Sequence, residues 1–304
     1  MRSGIQQTQT RERRTEAAHW RVDAEHAPAK KVEIVRRSKL KSVCADALGI
    51  SRKNIYRQLR QPAKDLALKA QIEAVHHEHP AYGHRRVALH LKINHKRAQR
   101  VMAKFKLKPP RRRVKRYSTV STSQHSYKNL LKNRTVTRPH QVWCSDLSRI
   151  LYRGTLWYIA TIEDLFTRQI IAQRMGKRHD SHLVLATLRQ ALATGYQPQV
   201  FHSDQGNEFM AQRCTDYLEQ RDILVSVSDV ASPWQNGYIE SFFGRFKHEL
   251  GDLNRFDSPG EMIEAIYRHT HYYNHHRIHT ALKMPPAVFA AKMFSDNGLH
   301  VWGT

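Results

Sequence analysis

The chain has 304 residues, with 51 Lys plus Arg against 26 Asp plus Glu, a formal net charge of +25 and a pI near 10.3. It has no apolar run of ~18 residues, which excludes a membrane-spanning helix, and its first thirty residues lack the apolar core of a secretory leader. Cys44, Cys144 and Cys214 lie too far apart for a CxxC pair or a disulfide framework, which argues for a reducing compartment and against a structural zinc, while the net charge of +25 makes the expected partner a polyanion.

The charge is unevenly placed. Residues 1–140 carry 35 basic and 9 acidic side chains, a net of +26, whereas residues 141–304 carry 16 and 17, a net of −1. From 101 to 140 there are twelve basic residues and no acidic one. Such a block repels itself until a polyanion neutralises it. A solvated basic linker is the plain alternative, but the excess continues through segments with helical periodicity.

In chain order, residues 33–60 read as short helices. Ala45, Gly49 and Ile55 have helix-turn-helix spacing: a small residue at the crossing, a glycine in the turn and an aliphatic anchor in the second helix. Ser51 is placed to cap a helix over 52–59, whose basic surface is Arg52, Lys53, Arg57 and Arg60. A third helix is expected over 64–78, with Leu66, Leu68, Ile72 and Val75 as core and Pro80 as its stop. His76, His77 and His79 cluster without a cysteine pair and read as helix surface rather than a zinc site. Tyr82-Gly83-His84-Arg85-Arg86 follows, then a basic helix from about Asn94 to Phe105. That helix turns Val101, Met102 and Phe105 inward and Lys96, Arg97 and Arg100 outward, a second helix-turn-helix. Residues 108–137 have no periodicity; with Arg111, Arg112 and Arg113 near their start they read as a basic linker.

The pattern changes at about 138. Strands are expected at 142–147, 156–162 and 168–175, joined by short turns. A helix over 181–193 capped by Ser181 comes next, then a strand at 199–202, a helix at 209–220, a strand at 223–227 and a long helix over 233–250. In that last helix Ser232, Pro233 and Gln235 make a starting signal. The order is βββαβαβα, which resembles a ribonuclease-H-like fold. The expected class is therefore α/β, a ribonuclease-H-like integrase core preceded by an all-α helix-turn-helix region. The expected divisions are 1–62, 63–107, a linker at 108–137, the core at 138–255 and a helical tail at 256–304.

Three acids suit metal-dependent phosphodiester chemistry, which needs converging oxygen ligands. Asp146 lies inside a strand, where an unpaired acid is costly. Asp204 ends another strand ahead of Gln205-Gly206-Asn207. Glu240 borders the apolar stripe of the last helix, formed by Ile239, Phe242, Phe243, Phe246 and Leu250. Each has a bland alternative: a paired structural Asp, an Asx-turn, a solvated helix face. Glu163, Asp164 and Glu208 are weaker candidates, and Asp164 is placed to pair with Arg168 at a turn.

Exactly 35 residues separate Asp204 from Glu240. With Trp143-Cys144-Ser145-Asp146, Ser203-Asp204-Gln205-Gly206, the run from Ser232 to Phe242, and the tail Tyr273-Asn274-His275-His276-Arg277-Ile278-His279 before Pro285-Pro286, the chain resembles the DDE transposase/integrase catalytic proteins of the IS3 insertion-sequence family. The resemblance covers most of the chain. It implies that Asp146, Asp204 and Glu240 are the catalytic, metal-binding triad, served by two Mg²⁺ (or Mn²⁺) ions. It also matches Lys247 to the family's basic residue seven positions after the Glu, nearly two helical turns on and hence on the same face. Expected partners are double-stranded DNA, both element ends and target, other copies of the chain in a synaptic complex, and a protein from the upstream reading frame. The place is the cytoplasm, with the nucleoid. A non-catalytic DNA-binding regulator and a ribonuclease-H-like nuclease without strand transfer are the other readings of the same residues.

Overall fold

A computed structural model describes residues 28–51, 53, 60–110, 127–132, 134–229 and 236–296. The chain divides into two compact units, Met1–Leu68 and Lys69–Thr304. In the first, α1 (Pro28–Arg37) and α2 (Lys41–Ala47) close on Val35, Cys44, Ala45 and Leu48. Gly49 follows at φ +65, the left-handed conformation that a turn leaving a helix requires. Lys53 is helical and exposed. Arg52, Ile55 and Arg57, and with them most of the expected second helix, lie outside the described residues.

α3 (Arg60–Glu78) begins earlier than the pattern implies, with Pro62 in its first turn, where a missing N–H costs nothing. Leu68, Ile72 and Val75 are buried, but Leu66 is 57% exposed. Two residues from Leu68, it sits about 200° around the helix from it, so it cannot share that face. The short α4 (His84–His90) and α5 (His95–Lys104) complete a helical pair. Asn94 caps α5 by accepting the Lys96 amide at 2.8 Å. Ala98, Val101 and Met102 are buried, which leaves Lys96, Arg97 and Arg100 on the exposed face. Phe105 is half-buried beyond the helix end.

Arg111, Arg112 and Arg113 lie outside the described residues. From Tyr127 the chain runs along the sheet. The Tyr127 hydroxyl donates to Glu219 at 2.7 Å, the Leu130 amide to Ser226 Oγ at 3.0 Å, and Leu131 and Val136 pack beside Val142, Cys144 and Val200.

The sheet has β1 (Val142–Tyr152), β2 (Thr155–Asp164), β3 (Ile170–Gly176), β4 (Val200–Ser203) and β5 (Leu224–Val227), in the order β3-β2-β1-β4-β5. The first three form an antiparallel meander, and β4 and β5 pair parallel to β1 through helical crossovers. α6 (Ser181–Leu192) is capped by Asp180, not Ser181: an extended Asp180 accepts the Leu183 amide at 3.1 Å. The helix expected over 209–220 is two, α7 (Asn207–Met210) and α8 (Gln212–Glu219). Between them Ala211 turns extended, and its carbonyl accepts the Cys214 and Thr215 amides.

Two apolar layers sandwich the sheet. Trp143, Ile162, Phe201 and Val225 pack on α6 and α8. Ile150, Tyr152, Ile159 and Ile170 pack on α9 (Gly237–Leu250) and α10 (Pro259–His275). The tail therefore belongs to the second layer. Asn274 pairs with the Ile170 backbone in both directions, at 3.0 and 2.9 Å, and covers the β3 edge. α11 (Pro286–Asp296) follows. The expected start of α9 at Ser232, Pro233 and Gln235 lies outside the described residues.

The Tyr82-Gly83 motif has a packing role. Tyr82 is fully buried, and its hydroxyl accepts the Ile278 amide at 2.7 Å. Arg86 stands 3.8 Å from Glu249, which Arg277 engages through Nε and Nη2 at 2.6–3.0 Å. The second helical pair is thus moored to the end of α9 and to the tail.

Candidate active site

Strand register places two of the acids side by side. β1 and β4 run parallel, with Val142 opposite Val200, Trp143 opposite Phe201 and Cys144 opposite His202. Two residues further along β1 lies Asp146, and Asp204 comes directly after the end of the neighbouring β4. Alternation then fixes the face. Asp146 has the parity of Ile150 and Tyr152, whose side chains pack on α9, so it points toward α9. Glu240 stands in the first turn of that helix. Asn236, just before it, donates from Nδ2 to the Ser145 carbonyl at 3.3 Å and ties the helix start to β1 beside Asp146.

The electrostatics show the convergence. Burial first, then the negative charges of Asp204 and Glu240, push the Asp146 carboxyl up to about 7, while the Leu147 amide and Lys247 pull the other way. Burial also raises Asp204, against a hydrogen bond from the Gly206 amide and the nearby His179. Burial lowers Lys247, and Asp146 opposes that shift. The charges of Asp204, Glu240 and Lys247 all bear on Asp146, which places the four groups near one another.

The loop after β4 is tightly built. A Cβ at Gly206 would stand 2.7 Å from Glu208 Oε1 and 3.0 Å from Asp204 Oδ1, so any side chain there would have to push the two carboxylate ends aside. Gln205 fastens the loop to the Ser228 carbonyl at 2.9 Å. Glu208, read as a weaker candidate, is a close neighbour of Asp204, and its carboxyl faces His179 at 3.4 Å. His179, and Arg149 whose charge reaches Lys247, are site neighbours that sequence reasoning missed. The only signal for the first was the basic run Lys177-Arg178-His179.

Other candidates resolve differently. Asp164 does not fix its turn through the Arg168 side chain. Its Oδ2 accepts both the amide and the hydroxyl of Thr167, at 3.0 and 2.6 Å, and its Oδ1 accepts the His140 amide. The guanidinium of Arg168 lies instead 3.6 Å over the Tyr238 ring. Burial pushes the Glu163 carboxyl up to about 8, which keeps it neutral inside the sheet layer. Lys96, Arg97 and Arg100 project from α5 as a separate basic row.

Comparison with known proteins agrees with this architecture. Two models described as integrase core domain match residues 136–233 and 221–286, and an HTH-like domain model matches 63–115. A protein of Escherichia coli (strain K12), named for transposase InsK of insertion sequence element IS150, is 31% identical over 78% of this chain and 88% of its own length. The transposase for insertion sequence element IS904 of Lactococcus lactis subsp. lactis is 31% identical over 73% and 94%. Among solved structures, the HTLV-2 integrase catalytic core domain in complex with magnesium matches at a TM-score of 0.44 and 17% identity, over 50% of this chain and 97% of that one. With an HTH-like domain ahead of an integrase core, and near-full-length kinship to insertion-sequence transposases, the chain belongs to the IS3-family DDE transposases, enzymes that bind element ends and cleave and join DNA strands.

Proposed function

We propose that Asp146, Asp204 and Glu240 are the catalytic triad and hold divalent cations, Mg²⁺ or Mn²⁺, two per site. The observation that carries this reading is the mutual repulsion at Asp146, where two further carboxylates bear on one half-buried acid. The donor set fits a hard cation: carboxylate oxygens and no thiolate. Two buried amide oxygens close by, Asn236 Oδ1 and Gln205 Oε1, have no hydrogen-bond partner among the described residues. When bound, such ions supply activation of an attacking oxygen and charge relief for the leaving oxygen.

The protein's own groups set the geometry. Asp146, on β1, and Asp204, directly after β4, form the floor. Glu240 closes the site from α9, held there by the Asn236–Ser145 bond. Lys247 presents its ammonium to a DNA phosphate on the same side. The nucleophile is water in the cleavage step and the freed 3′-hydroxyl in the joining step, so no side chain is acylated or phosphorylated.

We assign end recognition to the helical regions before residue 108. Lys96, Arg97, Arg100 and Lys53 are the described phosphate-gripping candidates there; Arg52, Arg57, Arg111, Arg112 and Arg113 extend the set. Two copies or more would hold two ends in synapsis, in the cytoplasm with the nucleoid. An upstream-frame partner would add to that assembly.

The test uses the full chain and a labelled duplex bearing an element end. Wild type joins strands in Mg²⁺. Charge reversal at Lys96, Arg97 and Arg100 together lowers the salt slope of binding by about 2–3 and takes joining down with it. An unchanged slope would remove α5 from the DNA interface.

A further inference from the structure

A second constellation lies away from the carboxylates, where α3 ends and α4 stops. Glu78 is the last residue of α3, His79 follows it, and His90 closes α4. Ligand-capable atoms of these three side chains all lie within 4.8 Å of one another. His79 is buried, and its Nδ1 is engaged by the Tyr272 hydroxyl at 2.8 Å. Nε2 is the ring atom that faces Glu78, whose Oε2 stands 3.8 Å away. The His79 and His90 rings meet edge to face at 5.3 Å. An open cavity of about 710 Å³ adjoins the group, and His275 and His276 of the tail line it too.

We infer that Glu78, His79 and His90 form a binding site for a borderline divalent cation, of which Zn²⁺ is the type, at the junction of the second helical pair and the tail. Two imidazoles and one carboxylate are a donor set that suits zinc and not magnesium. The Tyr272 contact has the form of an outer-shell partner: it occupies one ring nitrogen and aims the other. Packing accounts for the stack of His79 on Tyr82 at 4.4 Å. It does not account for Glu78 and His90, exposed side chains whose ligand atoms stand within 4.8 Å of that of His79. The fourth position opens on the cavity, to water or to a tail histidine. Nothing in strand joining uses these residues. A cation here would clasp the DNA-binding pair to the tail through the His79–Tyr272 bond.

The experiment is calorimetric titration of Zn²⁺ into the metal-stripped full chain with Mg²⁺ saturating, so that the carboxylate site is occupied. The expected result is one Zn²⁺ per chain, weakened about tenfold or more by His90→Ala and by Glu78→Gln, and retained by Asp146→Asn. Both ligand substitutions are at exposed positions, and circular dichroism verifies that each variant is folded. No Zn²⁺ uptake by wild type, uptake unaltered in both ligand variants, or uptake lost only in Asp146→Asn would each overturn the site. None of those outcomes touches the assignment of the catalytic carboxylates.

Discussion

Asp146→Asn will abolish Mg²⁺-dependent strand joining, by about a thousandfold or more, while leaving affinity for duplex DNA within a few-fold of wild type. A cation that steadies both the attacking and the leaving oxygen is worth several kcal/mol, and each 1.36 kcal/mol is tenfold in rate. In the proposed site Asp146 is the central ligand, since the charges of both Asp204 and Glu240 bear on it. Asn keeps the size and loses the charge, so folding is spared. Gel-shift and joining assays on one preparation separate the two effects. Glu240→Gln should match it. The double variant should cost little more than either single change, because the acids act as a unit. Joining that persists in Asp146→Asn would end the triad assignment.

The second large effect concerns stability. Glu249 is 8% exposed in its side chain and Arg277 1%. Burial alone would raise the Glu249 carboxyl; the neighbouring His269 and the Arg277 hydrogen bonds and charge outweigh it and hold it at about 2. Burial also drags the Arg86 guanidinium down to about 10, with the Arg277 charge adding to the shift and Glu249 opposing it. Removing the carboxylate would leave the buried guanidinium of Arg277 and the half-buried one of Arg86 without their counter-charge. Glu249→Gln should therefore cost about 3–5 kcal/mol in chemical denaturation. The linkage has a definite sign. The unfolded carboxyl titrates near 4.5 and the folded one at about 2, so the stabilisation is complete above about 4.5 and is lost as pH falls toward 2. The shift corresponds to roughly 3 kcal/mol at full ionisation, in line with the mutational figure. Wild type should lose stability across that acid window and Glu249→Gln should lose less. Equal acid profiles would show that the cluster contributes nothing.

Much of the site was legible because its chemistry is local in sequence. The apolar stripe of α9 placed Glu240 at a border, and seven residues put Lys247 on the same face. What the chain does not display is register. Nothing in Val142–Asp146 states that it pairs with Val200–Asp204, because a parallel pairing across a helical crossover is set by burial on both faces. The closeness of Glu208 to Asp204 is legible in sequence, whereas its facing of His179 is not. Turn chemistry misled at Asp164, where a neighbouring Thr outcompeted an Arg four residues on. The tail is legible from its motif as a helical segment with a packing or DNA-contact role. Its motif residues prove to be fasteners, with Asn274 on the edge of β3 and Arg277 on Glu249. Tyr82 is the complementary case, a motif residue whose partner, the Ile278 amide, lies 196 residues away.

The most direct measurement of the central claim, that three carboxylates form one cation site, is the thermal shift produced by Mg²⁺ at pH 8. Burial and the charges of Asp204 and Glu240 push the Asp146 carboxyl up to about 7, so at pH 8 Asp146 is ionised against those neighbours. Because the folded Asp146 carboxyl titrates above its ordinary value of 3.8, the metal-free protein loses stability as pH rises from about 4 to about 7, and a bound cation restores it. Wild type should show a Mg²⁺-induced rise in Tm at pH 8 that shrinks at pH 5. Asp146→Asn, Asp204→Asn and Glu240→Gln should each lose most of that rise and, without metal, melt at or above the wild-type temperature. A full Mg²⁺ shift surviving in any one of the three would contradict a single shared centre.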